Sequence, residues 1–112
     1  MSPKVSVITG YYNRAKYLAR TLDSLRAQSL QDIEIIVFDD ASTDNTREVI
    51  LDYCRLNNEE RIKPIFHRTN LGFTRGLINA IGQARGEYIA IQGSGDESTP
   101  DRLQRQVDYL DK

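Results

Sequence analysis

The chain has 112 residues, with 15 lysines and arginines against 16 aspartates and glutamates, and its formal net charge is −1. This length predicts a single domain with a buried core, and 39% hydrophobic with 28% charged residues is typical of a globular protein. The near-neutral charge argues against a nucleic-acid partner, and no apolar run approaches the roughly 20 residues of a membrane helix. One cysteine cannot form an internal disulfide, so we expect a cytoplasmic protein.

Hydrophobic patterning predicts four strands. The first, residues 5–8, is a short β-branched run, and the second, residues 33–38, is almost continuously apolar, as in strands covered on both faces. The third, residues 61–66, contains Pro64, which indicates an edge position because proline cannot donate to a strand ladder. The fourth is predicted at residues 87–91.

Helices are predicted between these strands. Residues 15–28 have leucines at helical spacing, and a second helix begins near Asn45, because Asn45 and Glu48 have the spacing of a capping box. The apolar positions expected to face the sheet along the four helices are Leu18, Leu22, Leu25, Val49, Ile50, Tyr53, Leu77, Ile78, Ile81, Leu103, Val107 and Leu110.

The last two helices complete an alternating pattern. The third, residues 73–84, is expected to stop at Gly86, and the fourth follows a cap residue and first-turn proline at residues 99–100. The order β-α-β-α-β-α-β-α predicts an α/β fold, a Rossmann-like and mostly parallel sheet with helices on both faces. Because such sheets bind ligands at the carboxyl ends of their strands, functional residues are expected in the four loops that follow the strands.

The loop after the first strand, residues 9–14, contains a single glycine, Gly10. A dinucleotide-binding turn needs Gly-x-Gly-x-x-Gly here, so a nicotinamide or flavin cofactor is excluded. Of Tyr11 and Tyr12, one is expected to cover the end of the sheet, and an aromatic ring here is suited to lie against a planar base. Asn13 is a candidate cap residue.

The loop after the second strand begins with two adjacent carboxylates, Asp39 and Asp40. Two such groups at the end of a buried strand repel each other and lose hydration, so backbone donors, a cation or a ligand must offset that cost. Ser42, Asp44 and Asn45 are interpreted as turn and cap residues. Asp40 is the candidate acceptor for a base imide or a ribose hydroxyl.

The loop after the third strand is flanked by Arg68 and Arg75. Arginines near a helix N-terminus can bind a pyrophosphate, although surface arginines are more often simply solvated. His67 is the single histidine and is interpreted as structural. Cys54 has apolar neighbours on the predicted second helix and is interpreted as a core residue.

The loop after the fourth strand combines glycines with acids. Gly93 and Gly95 permit close approach of the backbone to a phosphate, and Asp96 with Glu97 could bind a hard divalent cation through oxygen. The alternative is a flexible loop whose acids precede a helix and interact favourably with its dipole.

A series of motifs runs through the chain in a fixed order. They are Val5-Ser6-Val7-Ile8, Tyr12-Asn13-Arg14, Tyr17-Leu18, Thr21-Leu22-Asp23-Ser24-Leu25, Gln28-Ser29, Glu34-Ile35-Ile36-Val37, Asp39-Asp40-Ala41-Ser42-Thr43-Asp44-Asn45-Thr46, Asn70-Leu71-Gly72, Ala84-Arg85-Gly86-Glu87-Tyr88-Ile89-Ala90, Pro100-Asp101-Arg102-Leu103 and Gln106-Val107. Together they resemble the N-terminal half of an inverting family 2 glycosyltransferase with the GT-A fold. Any one motif is unspecific, but the whole series, which spans essentially all of the chain, is specific.

The resemblance implies transfer of a sugar from a nucleotide-sugar donor to an acceptor hydroxyl with inversion, as in polysaccharide biosynthesis. It implies that Gly10, Tyr12 and Asn13 of the first loop hold the nucleoside together with Asp40, with Tyr12 beside the base and Asp40 bonded to it. Arg75 corresponds to a basic position near the donor phosphates. The implied acceptor is a glycan or a lipid-linked sugar.

Two departures from the family pattern concern the site. The family's Asp-x-Asp motif, which with a divalent cation such as Mg²⁺ or Mn²⁺ binds the donor diphosphate, is replaced by Gly93-Ser94-Gly95, which leaves Asp96 as the candidate metal ligand. One carboxylate can share a cation with the diphosphate, but with lower affinity. Gly10 stands where the family more often has proline or threonine.

The family's acceptor half and general base lie beyond the Asp-x-Asp region. The resemblance therefore implies that residues 1–112 are a nucleotide-sugar-binding domain from a longer glycosyltransferase, with the general base beyond residue 112 and no catalytic residue within the chain. Alone, such a fragment is expected to be inactive. It is also expected to self-associate through an apolar face that the rest of the protein would cover.

Two other interpretations of the function remain open. A non-catalytic nucleotide- or partner-binding module derived from the same fold is favoured by Gly93 and Gly95 and disfavoured by Tyr12 and Asp40. A nucleotidyltransferase shares the sheet architecture, but it would carry a glycine-rich and basic loop after the first strand, of which Gly10-Tyr11-Tyr12-Asn13-Arg14 is a poor version.

Overall fold

Four parallel strands form one sheet in the order β3-β2-β1-β4. The computed structural model describes residues 2–112. Its strands are β1 (Val5–Tyr11), β2 (Ile33–Asp39), β3 (Ile62–Phe66) and β4 (Tyr88–Gln92). Its helices are α1 (Leu18–Arg26), α2 (Thr46–Asn57), α3 (Phe73–Gln83) and α4 (Arg102–Leu110), with a short 3-10 turn at Ala15–Tyr17. The predicted α/β, Rossmann-like parallel sheet is confirmed.

The burial of the strands follows their hydrophobic patterns. Every residue of β2 is buried, as its almost continuously apolar run predicted, and β3, which contains Pro64, lies at one edge of the sheet. The larger part of the core lies between the sheet and α1, α2 and α4. A smaller cluster of Ile8, Ile36, Phe38 and Ala80 lies under α3, so both faces of the sheet carry helices, as predicted.

The order in which successive strands join the sheet reverses at β1. From β1 the chain continues outward to β2 and β3, and it then crosses back to place β4 on the other side of β1. The loops after β1 and β4 therefore diverge, and a crevice opens at the carboxyl ends of these two strands, where ligands of open α/β sheets bind.

Helix α2 begins at Thr46, directly after Asn45 as predicted, but the predicted cap of α2 and the predicted start of α1 were wrong. Asn45 makes no side-chain capping bond; instead the Asp44 carboxylate caps α2, because its Oδ1 accepts a 2.9 Å hydrogen bond from the Thr46 amide. Helix α1 begins at Leu18 rather than at residue 15, since the preceding turn is 3-10. Local sequence indicated both helices but could not distinguish between neighbouring residues with similar capping chemistry.

Gly86 has a different role from the one predicted. Helix α3 already ends at Gln83, and a Cβ on Gly86 would come within 2.6 Å of the Ser6 hydroxyl. The Gly86 amide donates to that hydroxyl at 2.7 Å, and Ser6 in turn donates to the buried Glu34 carboxylate at 2.5 Å. Glu34 also accepts from the Arg85 amide at 2.7 Å. The motif residues Ser6, Glu34 and Gly86 thus fix the turn from α3 into β4.

The start of α4 is tied to the end of α1 by Gln28. The buried Gln28 amide donates to the Thr99 carbonyl at 2.7 Å and accepts from the Leu103 amide at 3.1 Å. Leu103 and Val107 are buried as predicted, whereas Leu110 is exposed. Within residues 2–112, none of the helices has the length and apolar character that crossing a membrane requires.

Candidate functional site

A cleft of about 510 Å³ lies at the carboxyl ends of the strands, where the crevice was expected. Its size is within the range of small-molecule sites. It is lined by residues from all four strand-to-helix loops and the strand ends beside them: Gly10, Tyr11, Tyr12, Arg14, Phe38, Asp40, Asn70, Gly72, Phe73, Gly93 and Ser94. The sheet topology thus brings together segments that are far apart in the sequence.

Asp40 is buried at the end of β2, and its carboxylate is held by three donors. Oδ1 accepts from the Leu71 amide at 2.7 Å and contacts the His67 Nδ1 atom at 2.9 Å, and Oδ2 accepts from the Gly72 amide at 3.0 Å. Burial alone would raise the pKa of Asp40, but these hydrogen bonds outweigh it, and the net shift is downward. Asp40 is therefore an ionised acceptor.

His67 has a structural position beside this carboxylate. Because an ionised carboxylate only accepts, His67 Nδ1 is the donor, and Nε2 is buried without a hydrogen-bond partner among the described residues. The imidazole ring stacks on Phe38 with a centroid distance of 5.4 Å. This agrees with the interpretation of His67 as a structural residue.

Asp39 and Asp40 have separate sets of donors. The Ser42 hydroxyl donates to Asp39 Oδ1, while Asp40 is bonded to the loop that follows β3. Ala41, directly after the pair, has a positive φ of 59°, which turns the chain sharply. Protein donors therefore offset the cost of burying two adjacent carboxylates, which is one of the solutions that the sequence left open.

Tyr11 and Tyr12 both line the cleft but differ in burial. Tyr11 is buried in the larger core cluster, whereas Tyr12 is 45% exposed. Gly10 also lines the cleft, and a Cβ at this position would overlap the ring of Phe38. The glycine at residue 10 is thus required by the phenylalanine on the neighbouring strand.

Asn13 connects two loops and does not line the cleft. Its φ is 53°, and its Oδ1 accepts from the Thr43 amide at 2.8 Å and the Asp44 amide at 3.2 Å. Its amide nitrogen donates to the Thr43 hydroxyl at 3.1 Å. Asn13 therefore positions the loop after β1 against the loop after β2.

The arginine that lines the cleft is Arg14, to which sequence analysis assigned no separate role. Its guanidinium lies 4.4 Å from the centre of the Tyr17 ring, and it approaches the Ser94 carbonyl at 3.4 Å. Arg75 is exposed on α3 and is not among the lining residues. Asn70 and Phe73 also line the cleft without having been singled out.

The loop after β4 is held in place from three sides. The Gly95 amide donates to the buried Thr21 hydroxyl at 2.8 Å, and Arg20 donates to the Gly95 carbonyl at 2.7 Å. The Gln92 side chain donates to the Asp96 carbonyl at 2.9 Å. Gly95 has a φ of 94°, a conformation that favours glycine. The loop that replaces the family's Asp-x-Asp motif is therefore a defined turn.

The Asp96 carboxylate bends back over Gly93. A Cβ at residue 93 would overlap Asp96 Oδ2, so the glycine leaves the space that this carboxylate occupies. None of residues 2–112 donates a hydrogen bond to the Asp96 side chain, which is exposed. In the same part of the chain, no group of three or more histidine, cysteine or acidic residues is arranged to hold a metal ion. Asp96 therefore remains the candidate protein ligand for a cation at this loop.

Comparison with known proteins assigns this chain to a family. The family model described as Glycosyl transferase family 2 matches residues 6–112. A relative from Bacillus subtilis (strain 168), named "Putative glycosyltransferase EpsE", is 42% identical over 110 residues, which are 98% of this chain and 39% of the relative. The chain thus spans well under half the length of that relative.

Two solved structures share the fold. The mannosyltransferase PcManGT from Pyrobaculum calidifontis, in complex with GDP-Man and Mn²⁺, superposes with a TM-score of 0.91 at 25% identity, over 100% of this chain and 33% of that chain. TarS 1-349 from S. aureus, in complex with UDP-GlcNAc, has a TM-score of 0.81 at 32% identity, over 96% of this chain and 31% of that chain.

Proposed function

Because this chain belongs to glycosyl transferase family 2, we propose that it binds the nucleotide of a sugar donor and forms the donor-binding half of an inverting glycosyltransferase. The observation that carries the proposal is that Tyr12 and Asp40, from different loops, line one cleft at the switch point of the sheet. The two structural neighbours contain a guanine and a uracil nucleotide sugar, respectively, which supports this class of donor.

Asp40 is suited to hold the base. A carboxylate offers about four lone-pair positions, and three of those on Asp40 are taken by His67, Leu71 and Gly72. The remaining position, on Oδ2, can accept one N–H from the edge of a base. Tyr12 supplies an exposed ring on which the base can stack.

The donor phosphates would lie toward the loop after β4. Gly93 and Ser94 line the cleft there, and a glycine backbone allows close approach of a phosphate. Arg14 lines the same cleft and supplies a positive charge. Arg75, near the start of α3, is the second candidate for a phosphate contact, since its side chain is long and exposed.

A divalent cation would be held by Asp96 together with the donor's own diphosphate oxygens. The carboxylate fits this role because it lies over Gly93 at the edge of the cleft and no donor among the described residues occupies it. When bound, such a cation neutralises the charge of the departing diphosphate. With a single protein ligand, the affinity for the metal alone is expected to be low.

The general base for an in-line displacement would come from outside these 112 residues. Among the described residues that line the cleft, the acidic one is Asp40. Its carboxylate is already hydrogen-bonded to three donors and therefore acts as a hydrogen-bond acceptor. An acceptor glycan or lipid-linked sugar would approach from the open side of the cleft. The chain by itself would therefore bind the donor without transferring the sugar.

Calorimetric titration with UDP, GDP and dTDP, each with and without Mn²⁺, tests the proposal. Tyr12→Ala is expected to weaken binding about 5- to 150-fold, the range of base-stacking losses. Tyr109→Ala, which removes an exposed tyrosine outside the cleft, is the matched control. If the folded chain binds none of these nucleotides, or if the two variants behave alike, the proposed site is wrong.

A second pair of variants tests whether Asp96 binds the cation. Asp96→Asn should abolish any strengthening of nucleotide binding by Mn²⁺, whereas Glu97→Gln, which changes the neighbouring exposed acid, should preserve it. Binding that ignores Mn²⁺ in the unchanged protein would remove the metal from the proposal and leave the nucleotide site intact.

A second candidate is a non-catalytic module that binds a nucleotide or a partner protein. The replacement of both motif aspartates by Gly93 and Gly95 favours it, since fewer carboxylates are left to hold a catalytic cation. Metal-dependent hydrolysis of a nucleotide sugar would favour the enzyme, and nucleotide binding without any turnover in a longer chain that includes the acceptor half would favour the module.

A further inference from the structure

Phe73 is an aromatic residue of the cleft that the family motifs do not account for. It is the first residue of α3, its side chain is 58% exposed, and it lines the same cleft as Tyr12 and Asp40. An exposed phenylalanine gains little from the core of its own protein, but it can stack on a planar ligand.

The sheet topology places Phe73 and Tyr12 on different sides of Asp40. Tyr12 follows β1 and Asp40 follows β2, whereas Phe73 follows the loop that leaves β3. Strand β2 lies between β1 and β3 in the sheet. The two exposed rings therefore reach the cleft from the strands that flank the carboxylate.

The backbone also ties Phe73 closely to Asp40. The amide of Gly72, its immediate neighbour, donates to Asp40 Oδ2 at 3.0 Å, and Gly72 has a φ of 85°. Such a φ favours glycine and turns the chain into α3 directly beside the carboxylate. A base hydrogen-bonded to Asp40 Oδ2 would thus lie next to Gly72, the residue that directly precedes Phe73.

The ring of Phe73 packs against the buried ring of Phe38. The two rings have a centroid distance of 6.2 Å and an interplanar angle of 42°, and Phe38 stacks in turn on His67. Phe38 is 1% exposed and fits there because Gly10 and Gly76 carry no Cβ. His67 is in turn hydrogen-bonded to Asp40. The packed rings of Phe73, Phe38 and His67 therefore connect Phe73 to the carboxylate that would hold the base.

We propose that Phe73 is a second aromatic wall of the nucleobase subsite, so that a base bonded to Asp40 is enclosed between Tyr12 and Phe73. This inference rests on the proposed nucleotide binding and adds a specificity-determining residue to it. It requires the contribution of Phe73 to depend on the base and not on the phosphates.

The test compares UDP with inorganic pyrophosphate, which has no base, by calorimetry on the whole chain. Phe73→Ala is expected to weaken UDP binding about 5- to 150-fold and to leave pyrophosphate binding unchanged. Phe73→Trp, which keeps an aromatic face, should retain UDP affinity. Ile78→Ala is the control, because Ile78 is an exposed apolar residue of the same helix that does not line the cleft.

A spectroscopic measurement separates contact from an indirect effect. The chain has three phenylalanines, Phe38, Phe66 and Phe73, so ¹³C-labelled phenylalanine gives few ring signals to assign. Magnetisation transfer between the Phe73 ring and the base protons of bound UDP is expected.

The outcomes distinguish the two proposals. UDP binding that needs Tyr12 but is unchanged in Phe73→Ala would overturn the aromatic wall and leave the proposed function standing. An equal loss of UDP and pyrophosphate affinity, or no ring-to-base transfer in the UDP complex, would also overturn it. If the folded wild-type chain binds no nucleotide, the proposed function fails and the wall fails with it.

Discussion

At the scale of single residues, Phe38 occupies space that two glycines leave free. A Cβ on Gly10 would overlap its ring, and a Cβ on Gly76 would lie 2.5 Å from Phe38 Cε1 and 3.1 Å from His67 Cε1. The phenylalanine on β2 and the glycines on β1 and α3 are therefore a matched set. The set explains why glycine stands at residue 10, where the resemblance led us to expect proline or threonine.

Gly10→Ala is predicted to destabilise the protein by about 1–3 kcal/mol, because the added methyl group overpacks a filled site. Gly82→Ala is the control: nothing lies within 4 Å of a Cβ there, and alanine is the better helix former, so stability should rise by about 0.5–1 kcal/mol. Urea unfolding measures both changes. Adding Phe38→Leu to Gly10→Ala should recover part of the loss, and a purely additive double variant would contradict the explanation.

Glu59 is the residue whose ionisation should be visible in stability. Arg61 donates to it at 2.8 Å and Arg26 at 3.3 Å, and hydrogen bonding to Arg61 is the main cause that lowers the pKa of Glu59 from 4.5 to about 2. A lowered carboxyl pKa stabilises the folded state above the unfolded value, and this contribution is lost as the pH falls from about 4.5 toward 2.

Glu59→Gln is predicted to lower the free energy of unfolding by about 1–2 kcal/mol at neutral pH, because charge-assisted hydrogen bonds are lost at a partly solvated site. The difference from wild type should shrink as the pH falls below about 4.5. Urea unfolding over a pH series measures it, with Glu60→Gln at the exposed neighbouring acid as the control. A difference that is constant with pH would show that the ion pairs are not its cause.

At the scale of elements, α1 determines the shape of the loop between β4 and α4. Thr21 accepts from the Gly95 amide, Arg20 donates to the Gly95 carbonyl, and the Ser98 amide donates to Ser24 at 3.1 Å. These bonds join residues more than 70 positions apart in the sequence. A helix that contributes nothing to the cleft thus holds Gly93 and Ser94 in its lining.

Thr21→Val is predicted to cost about 1 kcal/mol and to speed amide exchange at Gly95, because the partly buried Gly95 amide loses its acceptor. The control is Thr74→Val, at an exposed threonine of α3 outside this loop, and its effect on stability should be small. Amide exchange by NMR measures the local effect. Equal behaviour of the two variants would mean that the Thr21 bond does not hold the loop.

At the scale of the whole molecule, one edge of the sheet is apolar and open. Strand β4 is an edge strand, and its Ile89 and Ile91 are 43% and 41% exposed. They line a groove of about 730 Å³ between β4 and α4, together with the exposed Tyr109 and Leu110. Exposed apolar surface next to an unpaired strand edge favours association.

We therefore predict that this chain self-associates through the β4 edge in solution. Ile91→Glu should shift the protein toward monomer in sedimentation velocity over a range of concentrations, because a charge would be buried in the contact. Leu56→Glu, at an exposed leucine on α2 away from this edge, is the control and should leave the distribution unchanged. A monomer at every concentration would contradict the prediction.

Much of the fold could be predicted because it depends on local pattern. The almost continuously apolar run of β2 indicated that this strand is covered on both faces, and Pro64 indicated an edge strand, since both reflect which groups a strand can bury or pair. Asp40 could be identified as a site candidate because the ends of parallel strands meet at one edge of the sheet, whereas Tyr12 was distinguished from Tyr11 only by the family resemblance. Alternation of elements was thus enough to locate the cleft.

The remaining features depend on contacts between distant segments. Nothing near residue 73 indicates that Phe73 lies beside Asp40, because that proximity arises from the Gly72 hydrogen bond across 32 positions. The sequence likewise grouped Arg75 with the phosphates, whereas Arg14 lines the cleft. Sequence alone determined which strands exist and how they alternate with the helices, although β1 extends to Tyr11 and does not end at residue 8 as predicted. Tertiary structure alone decided which side chains enter the cleft, since side-chain direction is set by packing against residues that are remote in the chain.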